Sequence, residues 1–454
     1  MKDASRESSP GTEGRRAMSR IKSLCLALAA FVCLSASLAA GRGGARAQDE
    51  RPRDGRYYEA LAVKAYKAKN YAAFLENMKQ AGALRPNHPR LMYNLSAAYA
   101  LNGQRGEALG WLGRLARMGL VYAAERDEDF ASLKDSREFA DILGLFRKNG
   151  SPVGEASTAF TVREKGLVPE SVAYDPLTKA FYVSSVYRRK ILRVGPEGGV
   201  TEFATERDGL WSVMGMKVDS ARRLLWVCTA AQPQMANYDA SERGRSGLFK
   251  FDLRTGKLAG KYVLPDDSKQ HWLGDLAVNA GGDVYATDSL SPALYFLRRG
   301  ADRFETVLEG EPFVSPQGLD FAADGKRLFV ADYSKGVFVV DPRTRRYAPL
   351  APAPDSTMLG IDGLYFHRGA LVAVQNGVNP QRVVRLRLSA DASRVERFET
   401  VSANDPAFDE PTLGVLVKDH LYFIANSQWG AVDEQGRLAP PEKLKELVVL
   451  KLRL

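Results

Sequence analysis

The arrangement of apolar and polar residues divides the chain into a helical part and a longer strand-rich part. Between Tyr58 and Leu120, Ala, Leu, Tyr and Met recur at intervals of three and four residues, which is the period of an amphipathic helix. Gly and Pro in residues 149–152 end this pattern, and short apolar segments separated by turn residues begin at Ala159. The pattern therefore predicts an α-helical domain followed by an all-β domain.

A unit recurs six times in the strand-rich part. Each unit has a short apolar strand, a turn and two further strands rich in β-branched and aromatic residues. Successive units are 44, 60, 43, 45 and 51 residues apart, and their first strands begin at Ser171, Gly215, Asp275, Gly318, Gly363 and Gly414. This length suits a four-stranded blade with one long insertion, so we predict a six-bladed β-propeller over residues 157–454. The last strand, residues 448–452, is expected to close the ring by pairing with the start of the domain.

The helical part contains two segments with similar sequences. Residues 66–71 and 84–86 parallel residues 99–104 and 115–119, a spacing typical of tetratricopeptide repeats. The similarity to that family covers residues 56–148 and implies two repeats with a terminal helix. Two roles stay open for this domain. It packs against the propeller, or its concave face binds a peptide segment of a protein partner.

Residues 1–47 have the three-part pattern of a secretory signal. Basic residues come first, an apolar stretch follows at residues 24–40, and Ala-Arg-Ala ends at Ala47. The apolar stretch is short for a membrane span, so we predict cleavage after Ala47 and no membrane span thereafter. The protein is then exported, either periplasmic or secreted. Residues 48–55 are predicted to form a flexible leader, and residues 149–156 a linker.

Composition and charge narrow the classes of function. The chain has 454 residues, of which 45% are hydrophobic and 26% charged, as in globular proteins. Its formal charge is +10, but residues 1–47 hold eight basic against three acidic residues, so only half of that charge remains after cleavage. Because the remaining basic residues form no blocks with interleaved aromatics, we predict no nucleic-acid partner. The one remaining thiol, Cys228, lies in an apolar strand and is predicted to be buried and inert.

Three parts of the strand-rich sequence resemble the gluconolactonase superfamily. They are PESVAY at residues 169–174, DLAV with VYATD within residues 275–288, and PQGLDF with VAD within residues 316–332. That superfamily of six-bladed propellers includes senescence-marker lactonases, paraoxonase-like hydrolases and strictosidine-synthase-like proteins. The resemblance covers residues 157–454. It implies a divalent cation, commonly calcium, held in the central channel by residues that immediately precede the innermost strands.

Carried over to this sequence, the resemblance implies an incomplete set of ligands. Glu170 and Asp362 match ligand positions, and Asp362 would also be a candidate general base. Gln317 stands where Asn is usual and keeps an amide oxygen, whereas Gly274 stands where another Asn is expected and removes a ligand. Two carboxylates and an amide, with water, can hold Ca²⁺, which would polarise a lactone or ester carbonyl or activate a water molecule. Whether the set is a working metal site or a structural remnant stays open.

The other positions of the same ring are apolar. Met214 and Leu413 precede the innermost strands of the second and sixth blades. They suit either an organic substrate or a channel filled by side chains.

Further polar and aromatic residues are candidates for function. His271, which precedes the third blade, is a second candidate base, with a packing or surface role as the alternative. A candidate ligand face consists of Asp275, Asn376, Asn426 and Trp429, although turn formation explains Asn-Gly and Asn-Pro pairs equally well. The sequence contains no zinc-ligand spacing, nucleophile-elbow serine or phosphate-binding loop.

Two functions remain. The first is an exported, metal-dependent lactonase or ester hydrolase that acts on a small organic substrate. The alternative is a non-catalytic ligand- or protein-binding propeller with a degenerate metal site. Fold alone does not decide between them.

Overall fold

A computed structural model describes residues 54–454. The predicted signal, residues 1–47, and most of the predicted leader lie outside the described residues. The helical part comprises α1 (Gly55–Lys67), α2 (Tyr71–Leu84), α3 (Pro89–Leu101), α4 (Arg105–Arg117) and α5 (Arg137–Asn149). Two short 3₁₀ segments, Ala124–Arg126 and Glu128–Leu133, connect α4 to α5. Within residues 54–454, no helix is long and apolar enough to cross a bilayer.

The helices begin where the sequence supplies capping groups. The side chain of Asn70 accepts a hydrogen bond from the amide of Ala73 at the start of α2, and Ser136 does the same for Phe139 at the start of α5. Pro89 occupies the first turn of α3, where its missing N–H costs no helical hydrogen bond. Helix α1 packs on α2, and α3 packs on α4. The predicted helical domain is therefore present, while its assignment to the tetratricopeptide family stays a prediction.

The strand-rich part forms six antiparallel sheets of four strands each. Blades 1 to 3 contain β2 (Val172–Asp175), β3 (Ala180–Ser185), β4 (Lys190–Val194) and β5 (Val200–Ala204); β6 (Ser212–Asp219), β7 (Leu224–Ala230), β8 (Ser246–Asp252) and β9 (Leu258–Val263); and β10 (Leu273–Val278), β11 (Val284–Asp288), β12 (Ala293–Leu297) and β13 (Glu305–Glu309). Blades 4 and 5 contain β14 (Pro316–Phe321), β15 (Leu328–Asp332), β16 (Gly336–Asp341) and β17 (Arg346–Pro349); and β18 (Ile361–His367), β19 (Ala370–Gln375), β20 (Arg382–Leu388) and β21 (Val395–Ala403). The predicted six-bladed β-propeller is confirmed.

The sixth blade is built from both ends of the domain. Its strands are β22 (Gly414–Val417), β23 (His420–Ile424), β24 (Leu447–Arg453) and, outermost, β1 (Ala156–Val162). Strand β1 pairs antiparallel with β24, with Ala156 opposite Leu452 and Val162 opposite Leu447. The expected closure of the ring by the last strand is therefore confirmed.

The core of the propeller is divided among the interfaces between blades. Six clusters of buried apolar side chains lie in this part of the chain, and each joins two neighbouring blades around the ring. Phe329 of blade 4, for example, is fully buried against Leu364 of blade 5 and its neighbours. Burying such a side chain stabilises the fold by roughly 1.5–3 kcal/mol. Each blade thus depends on the blades on either side.

The first strand of each blade is the innermost one, and these strands approach one another closely around the channel. At Gly318 in β14, a Cβ atom would collide with the backbone carbonyl of Asp362 in β18, so glycine is required there. At Gly215 in β6, a Cβ atom would lie 2.5 Å from Oδ1 of Asp275 in β10. The carboxylate of Asp275 in blade 3 therefore has room because the neighbouring residue in blade 2, Gly215, has no side chain.

The helical part docks on blade 5. The amide of Val121 donates to the carbonyl of Asn379 at 2.8 Å, and the Asn379 side chain donates to the carbonyl of Val121 at 3.0 Å. Arg117 forms an ion pair of 2.7 Å with Asp355 in the loop before β18. Asn404, after β21, donates to the carbonyl of Asn149, the last residue of α5, and to that of Ser151. The helical part therefore contacts the propeller at blade 5 and at the loop that leads into it.

Candidate functional site

Glu170 is held at the channel end of blade 1 by three elements. Its amide donates to Oγ of Ser184 at 3.1 Å, and its carbonyl accepts from Oγ1 of Thr412 at 2.8 Å and from the amide of Leu413 at 3.0 Å. The indole Nε1 of Trp429 donates to its carboxylate Oε2 at 2.8 Å. The side chain is only 6% exposed. One carboxylate oxygen of a buried glutamate is thus fixed, and Oε1 is left for another partner.

Asp362 occupies the corresponding place in blade 5. Its Oδ2 accepts a hydrogen bond of 2.9 Å from Nδ2 of Asn376, which also donates to the carbonyl of Pro411. The hydroxyl of Tyr333 donates to Oδ1 of Asn376 and so fixes the amide orientation. Asp362 is 7% exposed. This carboxylate, like that of Glu170, has one oxygen held by a neutral donor.

Burial and mutual repulsion act on both carboxyls. Burial, followed by the charge on Asp362, raises the pKa of Glu170 well above its ordinary value, against the hydrogen bond from Trp429. Burial, followed by the charges on Asp275 and Glu410, raises the pKa of Asp362 to about 7. Like charges that share a poorly hydrated space favour protonation of one of them or binding of a cation. The charge on Asp362 therefore acts on Glu170, the other carboxyl predicted as a ligand.

Gln317, in β14 of blade 4, directs its side chain toward Ser315 and Gly274. Its Nε2 donates to Oγ of Ser315 at 3.1 Å, and its Oε1 faces Gly274, 3.5 Å from the position where a Cβ atom would lie. Among residues 54–454, no three His, Cys, Asp or Glu side chains lie close enough to form a metal site by themselves. An ion at this place would therefore also need amide, backbone or water oxygens.

Asp275 lies one step deeper in the channel. It is 2% exposed, and its Oδ2 has no hydrogen-bond partner. Burial raises its pKa, against the positive charge of Lys217. The ammonium group of Lys217 lies 5.0 Å from the ring centre of Tyr365, and Lys217 also counters the raised pKa of Asp320. Below the two upper carboxyls, the channel therefore has a second polar layer that contains a positive charge.

Glu410, in the loop before β22, was not among the residues predicted from the sequence. Burial, followed by the charge on Asp409, raises the pKa of Glu410 to about 7, against a hydrogen bond from the backbone of Trp429. No spacing identified this residue, because its position depends on how the loop folds back over the channel. Lys217 was not predicted either, although a lysine between Met216 and Val218 in an inner strand is a visible signal.

His271 is placed differently from the carboxyl pair. Its Nδ1 lies 2.6 Å from Oδ2 of Asp288, and its Nε2 lies 3.1 Å from Oδ1 of Asp267. Burial lowers its pKa, but the two carboxylates more than offset this, so that the pKa is raised. Asp288 also accepts from the amide of Trp272. The imidazole therefore holds together the loop that precedes β10.

The residues of the candidate ligand face separate into two groups. Asn376 contacts Asp362 and Trp429 contacts Glu170, and the Trp429 ring lies 6.1 Å from that of Trp272. Asn426 instead donates to the carbonyl of Glu446 and accepts from the amide of Val448, both at 2.8 Å. Its amide is thus used to hold the start of β24.

The two apolar residues of the ring, Met214 and Leu413, are buried. Met214 and Leu413 are both 3% exposed. The amide nitrogen of Gln232 lies 3.8 Å from the sulfur of Met214. Cys228 is fully buried, and burial raises its pKa, which opposes nucleophilic reactivity.

Comparison with known proteins gives similarity to solved structures alone. No family model matches the sequence, and no curated protein matches it significantly. A gluconolactonase from Xanthomonas campestris matches with a TM-score of 0.44 and 14% identity over 67% of this chain and 99% of that chain. A calcium-binding protein, regucalcin, from Agrobacterium tumefaciens matches with a TM-score of 0.44 and 14% identity over 65% of this chain and 93% of that chain. A PQQ-bound aldose sugar dehydrogenase from Streptomyces coelicolor matches with a TM-score of 0.43 and 13% identity over 66% of this chain and 99% of that chain.

Similarities at this level concern the strand architecture. The class of the protein follows from its own six sheets, its closure strand and its helical part. The described residues form a six-bladed β-propeller that carries an α-helical domain on blade 5.

Proposed function

We propose that this protein binds a divalent cation at the channel end of the propeller and hydrolyses a small lactone or ester there. The observation that carries the proposal is the pair formed by Glu170 and Asp362. Both carboxyls are buried, both have a raised pKa, and each has one oxygen held by a neutral donor. Two ionised carboxyls in such a place are unfavourable without a partner, and either a proton or a bound cation relieves the repulsion; the proposal takes the cation.

The chemistry of the donors suits a hard cation such as Ca²⁺. Carboxylate oxygens of Glu170 and Asp362 would supply the charge, and the Gln317 amide oxygen would join them after a change of rotamer. Water would complete the coordination shell, since Ca²⁺ takes six to eight oxygens. A set with two carboxylates predicts a weak site, with a Kd of about 10⁻⁴–10⁻³ M as in extracellular modules. When bound, the cation would polarise the carbonyl of the substrate or activate a water molecule.

The side chains around the pair have separate roles in this proposal. Trp429 and Asn376 orient the two carboxylates. Asp362 accepts the proton as a general base, because a bound cation would keep its carboxylate ionised. His271 is left out of the reaction, because both of its ring nitrogens already face carboxylates.

Cation binding is tested by thermal unfolding and by luminescence. At about 100 times the Kd, Ca²⁺ should stabilise the wild-type protein by about 2.7 kcal/mol. Terbium(III), which takes the same oxygen ligands, should emit when tryptophan is excited, because Trp429 contacts Glu170. Glu170→Gln should abolish both effects and, without metal, raise the melting temperature, because the repulsion with Asp362 is relieved.

A matched control separates this site from ordinary surface charge. Glu434 is exposed, and Glu434→Gln removes the same charge elsewhere. It should leave the Ca²⁺ shift and the terbium emission unchanged. If wild-type protein gives neither a shift with Ca²⁺ or Mn²⁺ nor terbium emission, the cation site does not exist.

The second candidate is a non-catalytic binding propeller, and Gly274 favours it because glycine supplies no ligand. Hydrolysis of lactones and aryl esters by cation-loaded wild-type protein distinguishes the two. We expect activity that Asp362→Asn lowers by about 100-fold or more, within the range of general acid–base catalysis. Cation binding without any hydrolysis would instead support the binding protein, with the helical domain as a candidate surface for a protein partner.

Export is part of the same proposal. It rests on the predicted signal, residues 1–47, and places the site in a compartment where a weak calcium site is useful.

A further inference from the structure

The interface between the helical part and blade 5 reaches the channel through one loop. This loop, taken as residues 375–380, begins at the last residue of β19 and leads toward β20, which starts at Arg382. At its far end, Asn379 exchanges two hydrogen bonds with Val121 in the helical part. At its near end, Asn376 donates to Oδ2 of Asp362. Residues 376–379 therefore connect Val121 in the helical part to the carboxylate of Asp362 in the channel.

Apolar contact reinforces the outer end of the loop. Val378 packs on the main core cluster of the helical part, together with residues of α3, α4 and α5. Val378 is thus a residue of the propeller whose side chain packs in the core of the helical part. Without the helices, Val378 would face solvent and Asn379 would lose both partners.

The inner end of the loop is held by polar contacts that also involve the helical part. Arg382 is fully buried, and its Nη1 donates to the carbonyl of Met118 at 2.9 Å, while its Nε donates to Oε1 of Gln375 at 2.7 Å. The amide of Gln375 donates to the carbonyls of Thr357 and Leu359. Gln375 directly precedes Asn376, so the position of Asn376 is fixed from both sides.

We propose that the helical domain positions the channel site: through Val378 and Asn379 it holds the loop of residues 375–380 so that Asn376 orients Asp362. Val378 and Asn379 are then positioning residues, and the helical domain acts as a structural clamp on one ligand of the cation. The cation in this inference rests on the proposed function. The contacts of Asn376, Val378 and Asn379 are present in the structure and do not depend on it.

The test compares Ca²⁺ affinity in three variants of the full-length protein. Asn376→Ala removes the direct partner of Asp362 and should weaken Ca²⁺ binding by about 10-fold or more, as for other outer-shell partners. The double variant Val378→Ala/Asn379→Ala acts one step further away and should weaken binding by about 3–10-fold. Both affinities are measured by calorimetric titration with CaCl₂ and by competition with terbium(III).

Asn404→Ala is the matched control. Asn404 also donates from its side chain to backbone carbonyls across the domain interface, but it lies after β21 and not in the loop. Its backbone is left-handed, with φ of 53°, so the substitution should lower the melting temperature at least as much as the double variant does. It should leave Ca²⁺ affinity within twofold of wild type. Equal losses of affinity in this control and the double variant would overturn the proposal, because general loosening would explain both.

Hydrogen exchange gives a readout that needs no cation. The amide of Gly377 donates to the carbonyl of Gly360 at 3.1 Å. Exchange over residues 375–377 should be faster in the double variant than in wild type and unchanged in Asn404→Ala. Unchanged exchange in the double variant overturns the positioning role. Failure of the wild-type protein to bind Ca²⁺ overturns the proposed function instead, and the exchange comparison still decides the role of the helical domain.

Discussion

At the scale of single residues, the channel contains carboxyls that the fold keeps away from water. The pKa of Asp362 is raised to about 7 by burial and by its charged neighbours. In the unfolded chain it returns to about 4. A carboxyl with a raised pKa in the folded state stabilises the fold while it is protonated. Its contribution is complete below the unfolded pKa and is lost as the pH rises through the folded pKa.

We therefore expect Asp362 to make the metal-free protein less stable at pH 8 than at pH 4–5. Its share of the loss should be on the order of 2 kcal/mol, below the full linkage value because its coupled neighbours adjust. Urea unfolding of wild type and of Asp362→Asn at both pH values isolates this share from that of other groups. Saturating Ca²⁺ should reduce it. Parallel pH profiles for the two proteins would show that Asp362 is not perturbed.

Asp175 shows the opposite behaviour in the same propeller. It is fully buried at the interface between blades 1 and 2, where Arg223 donates to both of its oxygens. Although burial alone would raise the pKa of Asp175, these hydrogen bonds lower it to about 2. Both aspartates are buried, and the bonded guanidinium of Arg223 accounts for the opposite directions of their pKa shifts.

At the scale of elements, the interfaces between blades determine stability. Leu447, at the start of β24, is 1% exposed in the cluster between blades 6 and 1. Leu447→Ala should lower the free energy of unfolding by about 2–5 kcal/mol, because it removes a buried side chain and leaves a cavity. Leu177 is 72% exposed, and Leu177→Ala should change stability by less than about 0.5 kcal/mol. Similar effects of the two substitutions on urea unfolding would contradict a core at the blade interface.

The elements were also the most predictable part of the molecule. The six inner strands and the closing strand follow from alternation, turn residues and regular spacing, because burial between blades imposes the same pattern six times. The site was only partly predictable. Glu170 and Asp362 sit at repeated positions, whereas Glu410 comes from an irregular loop and His271 is paired with Asp267 and Asp288. Side-chain pairing of this kind depends on tertiary packing, which spacing along the sequence does not encode.

At the scale of the whole molecule, a buried arginine joins the two parts. Arg382 contacts Met118 and Gln375, its guanidinium lies 5.0 Å from the ring centre of Phe398, and burial lowers its pKa to about 10. We expect wild-type protein to unfold in one calorimetric transition and Arg382→Ala to unfold in two, because the carbonyl of Met118 and Gln375 lose their donor. Arg385→Ala, on the same strand but partly exposed, serves as the control and should keep one transition. One transition in both variants would show that Arg382 does not couple the two parts.

The closure of blade 6 has a consequence for the order of events during synthesis. Strand β1 leaves the ribosome directly after the helical part, and its partner β24 is the last strand to be made. Until then β1 has an unpaired edge, which is a risk for aggregation. Ser157, Thr158 and Thr161 are polar and exposed, and the pairing register shifts between Thr158 and Phe160. A short, irregular strand with several exposed polar residues is suited to wait for its partner, so the nascent chain should remain competent to fold until β24 emerges.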